Sequence, residues 1–264
     1  MSFMLKEYDD LIERIAIHSD RVFQSVGEAA QRLRDGGDLS NTTILRHDVD
    51  REPQAAVDMA AAEARRGIRS TYYFRCTSGK FPIHAIQRIA DWGHETGYHY
   101  ECLSACRGNR GTALTQFERN LGIFREFATC NTVAMHGAPL SPHNNLDLLR
   151  EIDLAQFGLI GDAVHTFSAL QLYYFTDTGG TWHSASHNNL RDRVGRSPGP
   201  APHPFDEDFI TWLKREKTPA YISTHPERWT STKFQFAKAY SRDKAANAAK
   251  QVLRRIHGAR QTSE

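Results

Sequence analysis

Short apolar or alternating runs and longer stretches with helical spacing follow one another along most of the chain. Thr43 to Leu45 is a β-type run that leads into Arg46-His47-Asp48-Val49-Asp50. Pro53 suits a first helical position, Ala55, Ala56, Met59 and Ala62 form an apolar stripe behind it, and Gly67 stops that helix. Ile68 to Phe74, β-branched and aromatic, predicts a strand. Ile83, Ile86, Ile89 and Ala90 predict a helix over Pro82 to Trp92, closed by Gly93, and Glu95 to Glu101 predicts the next strand. Leu114, Phe117, Leu121 and Phe124 predict an amphipathic helix over Thr112 to Ala128, and Val133 to Met135 a short strand. Beyond it the pattern predicts a helix over Asn145 to Ile152, extended runs at Phe157 to Ile160 and Leu172 to Phe175, a helix over Asp206 to Arg215 and a strand at Ala220 to Ser223. Lys233 to Ile256 reads as a terminal helix packed outside. This alternation argues for an α/β fold of parallel βα units, in a barrel or an open sheet.

Composition narrows the class. The 264 residues suit one large domain or two small ones, and 40% hydrophobic against 24% charged residues excludes a disordered or fibrous chain. No apolar run approaches the roughly 20 residues of a membrane span. Met1 to Ile15 mixes Lys6, Glu7, Asp9, Asp10 and Glu13 among its apolar residues and lacks the clean apolar stretch of an export signal, so the expectation is a cytoplasmic protein. A net charge of +2 makes the basic stretches around Arg191 to Arg196 and from Lys233 to Arg260 solvated surface rather than a nucleic-acid footprint. Cys76, Cys102, Cys106 and Cys130 show neither CxxC spacing nor disulfide-framework density and read as free thiols. Histidine, with 13 copies, is the informative excess.

The reactive residues gather where strands end: His47-Asp48-Val49-Asp50, Tyr98-His99-Tyr100-Glu101, Met135-His136-Gly137, Thr176-Asp177-Thr178 and Ser223-Thr224-His225. In βα barrels those carboxyl ends meet on one face, so their side chains converge. Residues two apart on an extended segment point the same way, which lets Asp48 and Asp50 share a face. Two close carboxylates suit a metal ligand beside a general base; Asp50 could equally cap the helix that starts near Pro53. His99 and Glu101 fall on one face of their strand, as a metal partner for Asp50 and a further ligand or supporting group. His94, after Gly93, reads as structural. His136 and His225 gain a functional reading from their shared place at strand ends. There is no GxSxG elbow, no phosphate-cradling GxxxxGK[ST] loop and no motif that would activate Cys102 as a thiolate.

Taken in order, Leu45-Arg46-His47-Asp48-Val49-Asp50, Gly93-His94-Glu95-Thr96-Gly97-Tyr98-His99-Tyr100-Glu101, Met135-His136-Gly137-Ala138-Pro139, Thr176-Asp177-Thr178-Gly179-Gly180-Thr181-Trp182 and Thr224-His225-Pro226-Glu227-Arg228-Trp229 resemble the polysaccharide deacetylase (carbohydrate esterase family four) superfamily, in a bacterial branch whose first motif reads RHDVD. The resemblance implies a single domain over 1–264, a distorted (β/α)7 barrel, with a motif-bearing core over about 43–229 and a helical tail over about 232–258. It implies Asp48 as catalytic base and Asp50 as metal ligand, His99 as the first metal histidine and His225 as the acid that protonates a leaving amine. Arg46, His47, Tyr98, Asp177 and Trp182 are placed as substrate or supporting residues. The second metal histidine of the superfamily would stand four residues after His99, where this chain has Leu103, so the third ligand is Glu101, His136 or a water. His136 also stands where the third motif carries an arginine. The implied cofactor is a divalent metal, zinc ahead of cobalt, nickel or manganese. The implied activity is removal of an N-acyl, chiefly N-acetyl, group from an amino sugar. A different metal-dependent C–N hydrolase and a non-catalytic carbohydrate-binding protein are the competing classes. A cytoplasmic chain would meet its sugar as a nucleotide- or lipid-linked precursor, and the loop from His183 to Pro204 would select it.

Overall fold

Strand β2 (Thr42–Val49) is buried along its whole length and carries two different cores on its two faces. Ile44 joins Val26, Ala29, Ala30, Tyr73, Ala134 and Tyr221 inside the curl of the sheet. Leu45, one residue on, packs outward against Tyr8, Leu11, Ile12 and Ile15. A strand buried on both sides needs helices around it, which is the barrel arrangement. In the computed structural model, residues 3–138, 141–178, 182, 191, 193–232, 237 and 241 are described. The expected terminal helix from Lys233 to Ile256, apart from 237 and 241, and residues 183–190 and 192 of the His183 to Pro204 loop lie outside them.

The other strands are β1 (Val22–Gln24), β3 (Thr71–Arg75), β4 (Glu95–Tyr100), β5 (Thr132–Met135), β6 (Gly161–Asp162), β7 (Tyr173–Thr176) and β8 (Ala220–Thr224). Seven strands run in the order β6-β5-β4-β3-β2-β8-β7, every pairing parallel, with β1 added against the start of β2. Among the described residues no pairing joins β6 to β7; instead the Tyr221 hydroxyl crosses the interior to donate to the Ala163 carbonyl at 3.0 Å. The fold is a distorted (β/α)7 barrel. Helices α1 (Leu5–His18), α2 (Val26–Arg34), α3 (Pro53–Ala64), α4 (Ile83–Asp91), α5 (Cys102–Ala105), α6 (Arg110–Arg125) and α7 (Phe209–Arg215) complete it. No helix among the described residues is long and apolar enough to cross a membrane.

Most expected elements form within a few residues of their expected limits. The exceptions lie between β5 and β7. Asn145 to Ile152 gives only a 3₁₀ turn at Asn145–Leu148, and the run Phe157 to Ile160 is not extended. A second 3₁₀ turn, Leu154–Phe157, ends at left-handed Gly158 (φ 64°), and Phe157 plugs onto Phe117 of α6 with ring centroids 5.3 Å apart. Its apolar character serves that contact rather than a strand.

Inside the barrel, Gly97 makes room for Tyr73. A Cβ there would stand 2.6 Å from both the Thr132 carbonyl oxygen and the Tyr73 ring. The Tyr73 hydroxyl shares a 2.6 Å hydrogen bond with Thr132, and the ring underlies the Arg46 guanidinium at 5.8 Å. Apolar packing therefore gives way to charge at the level of Arg46.

Candidate active site at the carboxyl ends of the strands

Above Arg46 the alternation continues as Asp48 of β2 and Asp50 just past it, Arg75 of β3, His99 of β4 and Glu101 just past it, and His136 just past β5. Arg46 grips Asp48 with two parallel bonds, Nε to Oδ1 at 2.8 Å and Nη2 to Oδ2 at 2.7 Å, both partners buried. Burial alone would raise the Asp48 carboxyl; Arg46, then His99 and His225, hold it below the usual carboxylate range. Asp48 is thus an ionised base with a fixed orientation, 3.8 Å from His99 Nε2.

Asp50 Oδ1 is buried and has no hydrogen-bond partner. It stands 3.4 Å from His99 Nε2 and 3.6 Å from His136 Nε2. Donors about 2.0–2.2 Å from one tetrahedral ion lie roughly 3.3–3.6 Å apart, and one carboxylate with two imidazoles is a zinc-type donor set. The two Asp50–imidazole spacings fall in that range, while among the described residues no group of three His, Cys, Asp or Glu side chains stands arranged to hold a metal ion. The His99 and His136 rings meet edge-on, with centroids 5.4 Å apart, and His99 Nδ1 is within 3.1 Å of the Ala134 carbonyl, which leaves Nε2 toward Asp50. Burial would lower His136, yet Asp50 and Glu101 push it up to about 9. Asp50 is not the cap of α3: Glu52 holds the N-cap position and Asp50 faces the two imidazoles.

Glu101, expected as a further ligand or a supporting group, stands on the supporting side. It sits behind His136, its Oε2 3.1 Å from Nδ1, and accepts both 2.6 and 2.7 Å bonds from Arg75 Nη2. Burial would raise its carboxyl; His136 and Arg75 bring it down to about 2. The contact with the far nitrogen of His136 is one of charge, since Nδ1 makes no hydrogen bond of good geometry. Leu103, four residues after His99, is buried on α5 in the outer apolar cluster, so nothing at that position reaches the site.

Across the rim, Asp177 collects His225. Its Oδ1 is 2.7 Å from His225 Nδ1 and its Oδ2 accepts the His225 backbone N–H at 2.9 Å, while Trp229 Nε1 and Arg228 donate to the same carboxylate at 2.9 and 3.2 Å. Burial and Arg228 pull His225 down, but Asp177 leaves it above the ordinary imidazole value. Trp182 does not wall this site. It packs behind Trp229, centroids 5.5 Å apart, in a cluster with Phe3 and Phe205.

Two sequence-derived candidates lie elsewhere. His47 and Tyr98 alternate with Asp48 and His99 and so point outward. His47 bridges Thr224 Oγ1 (2.7 Å) and Glu63 (2.9 Å) in a fully buried network. The Tyr98 hydroxyl meets Cys102 Sγ and Asn120 in the core beneath α6, and burial pushes the Cys102 thiol up to about 11, which makes it inert. His94 is structural as expected, its nitrogens 3.1 Å from the Ser70 hydroxyl and 3.0 Å from the Ala60 carbonyl. Arg75 and Glu227 are the site residues the sequence reading missed. Glu227 Oε2 is buried and unpartnered, and burial with Asp50 nearby pushes that carboxyl up to about 7. Their positions, closing β3 and two residues past His225, followed the same strand-end rule.

No family model and no curated protein matches the chain. It is similar to several solved structures. One is the CE4 family pseudoenzyme BA3943 of Bacillus anthracis, with 12% identity, a TM-score of 0.38 and coverage of 77% of this chain and 60% of that one. Another is the Streptococcus pyogenes deacetylase PplD in complex with acetate, with 10% identity, a TM-score of 0.44 and coverage of 81% and 87%. A third is a family 4 carbohydrate esterase from Streptomyces lividans, also in complex with acetate, at 14%, 0.34, 66% and 84%. The chain spans about three-fifths of the length of the Bacillus anthracis pseudoenzyme.

Proposed function

We propose that this chain is a metal-dependent hydrolase that removes an N-acyl group, chiefly N-acetyl, from an amino sugar. The observation that carries the reading is the pairing across one rim of a carboxylate–imidazole cluster, Asp48, Asp50, His99 and His136, with a separate carboxylate–imidazole pair, Asp177–His225. Amide hydrolysis needs a base for water on one side and an acid for the leaving nitrogen on the other, and two such groups with separate environments meet that need.

Asp50, His99 and His136 would hold the ion. When bound, a divalent metal polarises the acyl carbonyl and lowers the pKa of water to about 7. Asp48, ionised and clamped by Arg46, takes the proton of the attacking water. His225 donates a proton to the departing amine, and Asp177 keeps its Nδ1–H turned inward so that Nε2 faces the substrate. Glu101 and Arg75 hold the His136 ring in place. His136 carries a proton that a cation must displace, so metal affinity rises with pH.

Elemental analysis of untagged protein, with the Asp50→Ala and His99→Ala variants, tests the centre. The expected result is near-stoichiometric zinc, cobalt, nickel or manganese in the wild type, lost from both variants, with acetate released from N-acetylated sugars by the wild type alone. Protein that takes up none of these ions and releases no acetate would overturn the reading.

A further inference from the structure

A cleft of about 470 Å³ opens directly from the site, with Asp50 on its wall beside Arg51, Pro53, Arg75, Lys80 and Phe81. Three of those residues are cations. Arg51 and Lys80 are exposed, and among the described residues neither is engaged by a carboxylate. Arg75 gives Nη2 to Glu101, while its Nε is buried without a hydrogen-bond partner. Lys80 is presented by a two-residue turn, Ser78 (φ 52°) and Gly79 (φ 75°), closed by paired Thr77–Lys80 backbone bonds of 2.9 and 3.1 Å. Positive φ at both central residues is the type I′ pattern, a tight connection that fixes where the lysine backbone stands. Arg51 directly follows Asp50, so its backbone is tied to the site as well. Pro53 and Phe81 add an apolar wall.

We infer that this cleft is an anion subsite, and that the sugar bound at the site carries a phosphoryl group seated between Arg51 and Lys80. A phosphate ester, near −2 at neutral pH, balances both charges, whereas a single carboxylate balances one. Asp50 also stands on the cleft wall, so the phosphoryl group is placed at the two exposed cations rather than against that carboxylate. The inference deepens the proposed activity and rests on it for the identity of the sugar, but not for the anion.

Calorimetric titration of the intact protein separates the two. N-acetylglucosamine is compared with its 1-phosphate, its 6-phosphate and a nucleoside-diphosphate-linked form, for the wild type and the Arg51→Gln/Lys80→Gln double variant. Both substitutions fall on exposed side chains, and an unchanged melting temperature checks that the double variant folds. At least one phosphorylated sugar is expected to bind the wild type about tenfold or more tightly than the neutral sugar. That advantage should shrink with added salt and vanish in the double variant. Which phosphorylated form gains most distinguishes a monoester from a diphosphate-linked substrate. Equal affinity for neutral and phosphorylated sugars, no binding of any, or an advantage that survives the double substitution would overturn the subsite. Acetate release is read in parallel: its absence with the charge preference intact removes the deacetylase reading and leaves the anion site standing.

Discussion

At the scale of single residues, the site is a set of charges whose environments push them apart. Asp48 and Asp177 are both buried carboxylates kept ionised, but by different partners: an arginine fork for the first, an imidazole, an indole and a guanidinium for the second. That difference makes Asp48 available to take a proton and commits Asp177 to holding one in place on His225. Asp177→Asn keeps the shape but turns a donor toward donors. It is expected to lower kcat on an N-acetylated sugar about 10²–10⁴-fold with little change in KM. In the proposed reaction His225 acts in its protonated form, and Asp177 raises its pKa, so wild-type activity is expected to fall as pH rises through that raised value. The variant should lose activity at lower pH, and a kcat–pH profile whose alkaline limb stays put would contradict the assignment.

At the scale of elements, period-two alternation does most of the positioning. Arg46, Asp48 and Asp50 share one face of β2 and its extension, while Leu45, His47 and Val49 share the other. The same parity separates His99 from Tyr98. That rule was legible in the sequence and already places His47 and Tyr98 outside the barrel, where their motif neighbours drew them in. Gly97 is the hinge between the apolar and the charged layers of β4. Gly97→Ala forces a Cβ to within 2.6 Å of the Thr132 carbonyl, which has nowhere to go in a parallel ladder, and of Tyr73, which underlies Arg46. Overpacking of this kind costs about 1–3 kcal/mol. Urea unfolding should show a lowered midpoint at constant slope, and an unchanged midpoint would mean the interior is looser than this geometry.

At the scale of the whole molecule, one buried carboxylate ties the outer helices to the barrel. Glu63 on α3 accepts from the hydroxyls of Tyr8 on α1, Tyr72 on β3 and Ser70, and meets His47 Nε2 at 2.9 Å. Burial alone would raise its carboxyl, but His47 first, then His94 and the Ser70 hydroxyl, bring it from 4.5 to about 2. Because the folded value is the lower one, its contribution is fully present above about pH 4.5 and is lost as pH falls toward 2. A shift of that size is worth about 3 kcal/mol. Glu63→Gln should therefore be less stable than the wild type at pH 7, with the gap closing by about pH 2 in denaturant titrations at several pH values. A gap independent of pH would show that Glu63 acts through packing alone.

The strand-and-helix order from β2 to β5 and from β7 to β8, and the strand-end placing of Asp48, Asp50, His99, His136, Asp177 and His225, follow from the sequence, because period and neighbour chemistry are local properties; the 3₁₀ turns and β6 between β5 and β7 do not. Helix α1 was equally available, since Tyr8, Leu11, Ile12 and Ile15 are buried at helical spacing, though its charged neighbours masked it. What only the tertiary structure decided is which side of a residue faces which partner. His136 could turn either ring nitrogen toward Asp50, and Glu101 could stand on either side of that ring; in the folded chain the Arg75 guanidinium, from a different strand, holds Glu101 behind it. Likewise the cationic cleft joins Arg51 to Lys80, 29 positions apart in the chain, through a turn and two parallel strands. Local sequence sets which face a side chain takes, but partners across a barrel are chosen by strand register and curvature, which arise only when the whole sheet closes.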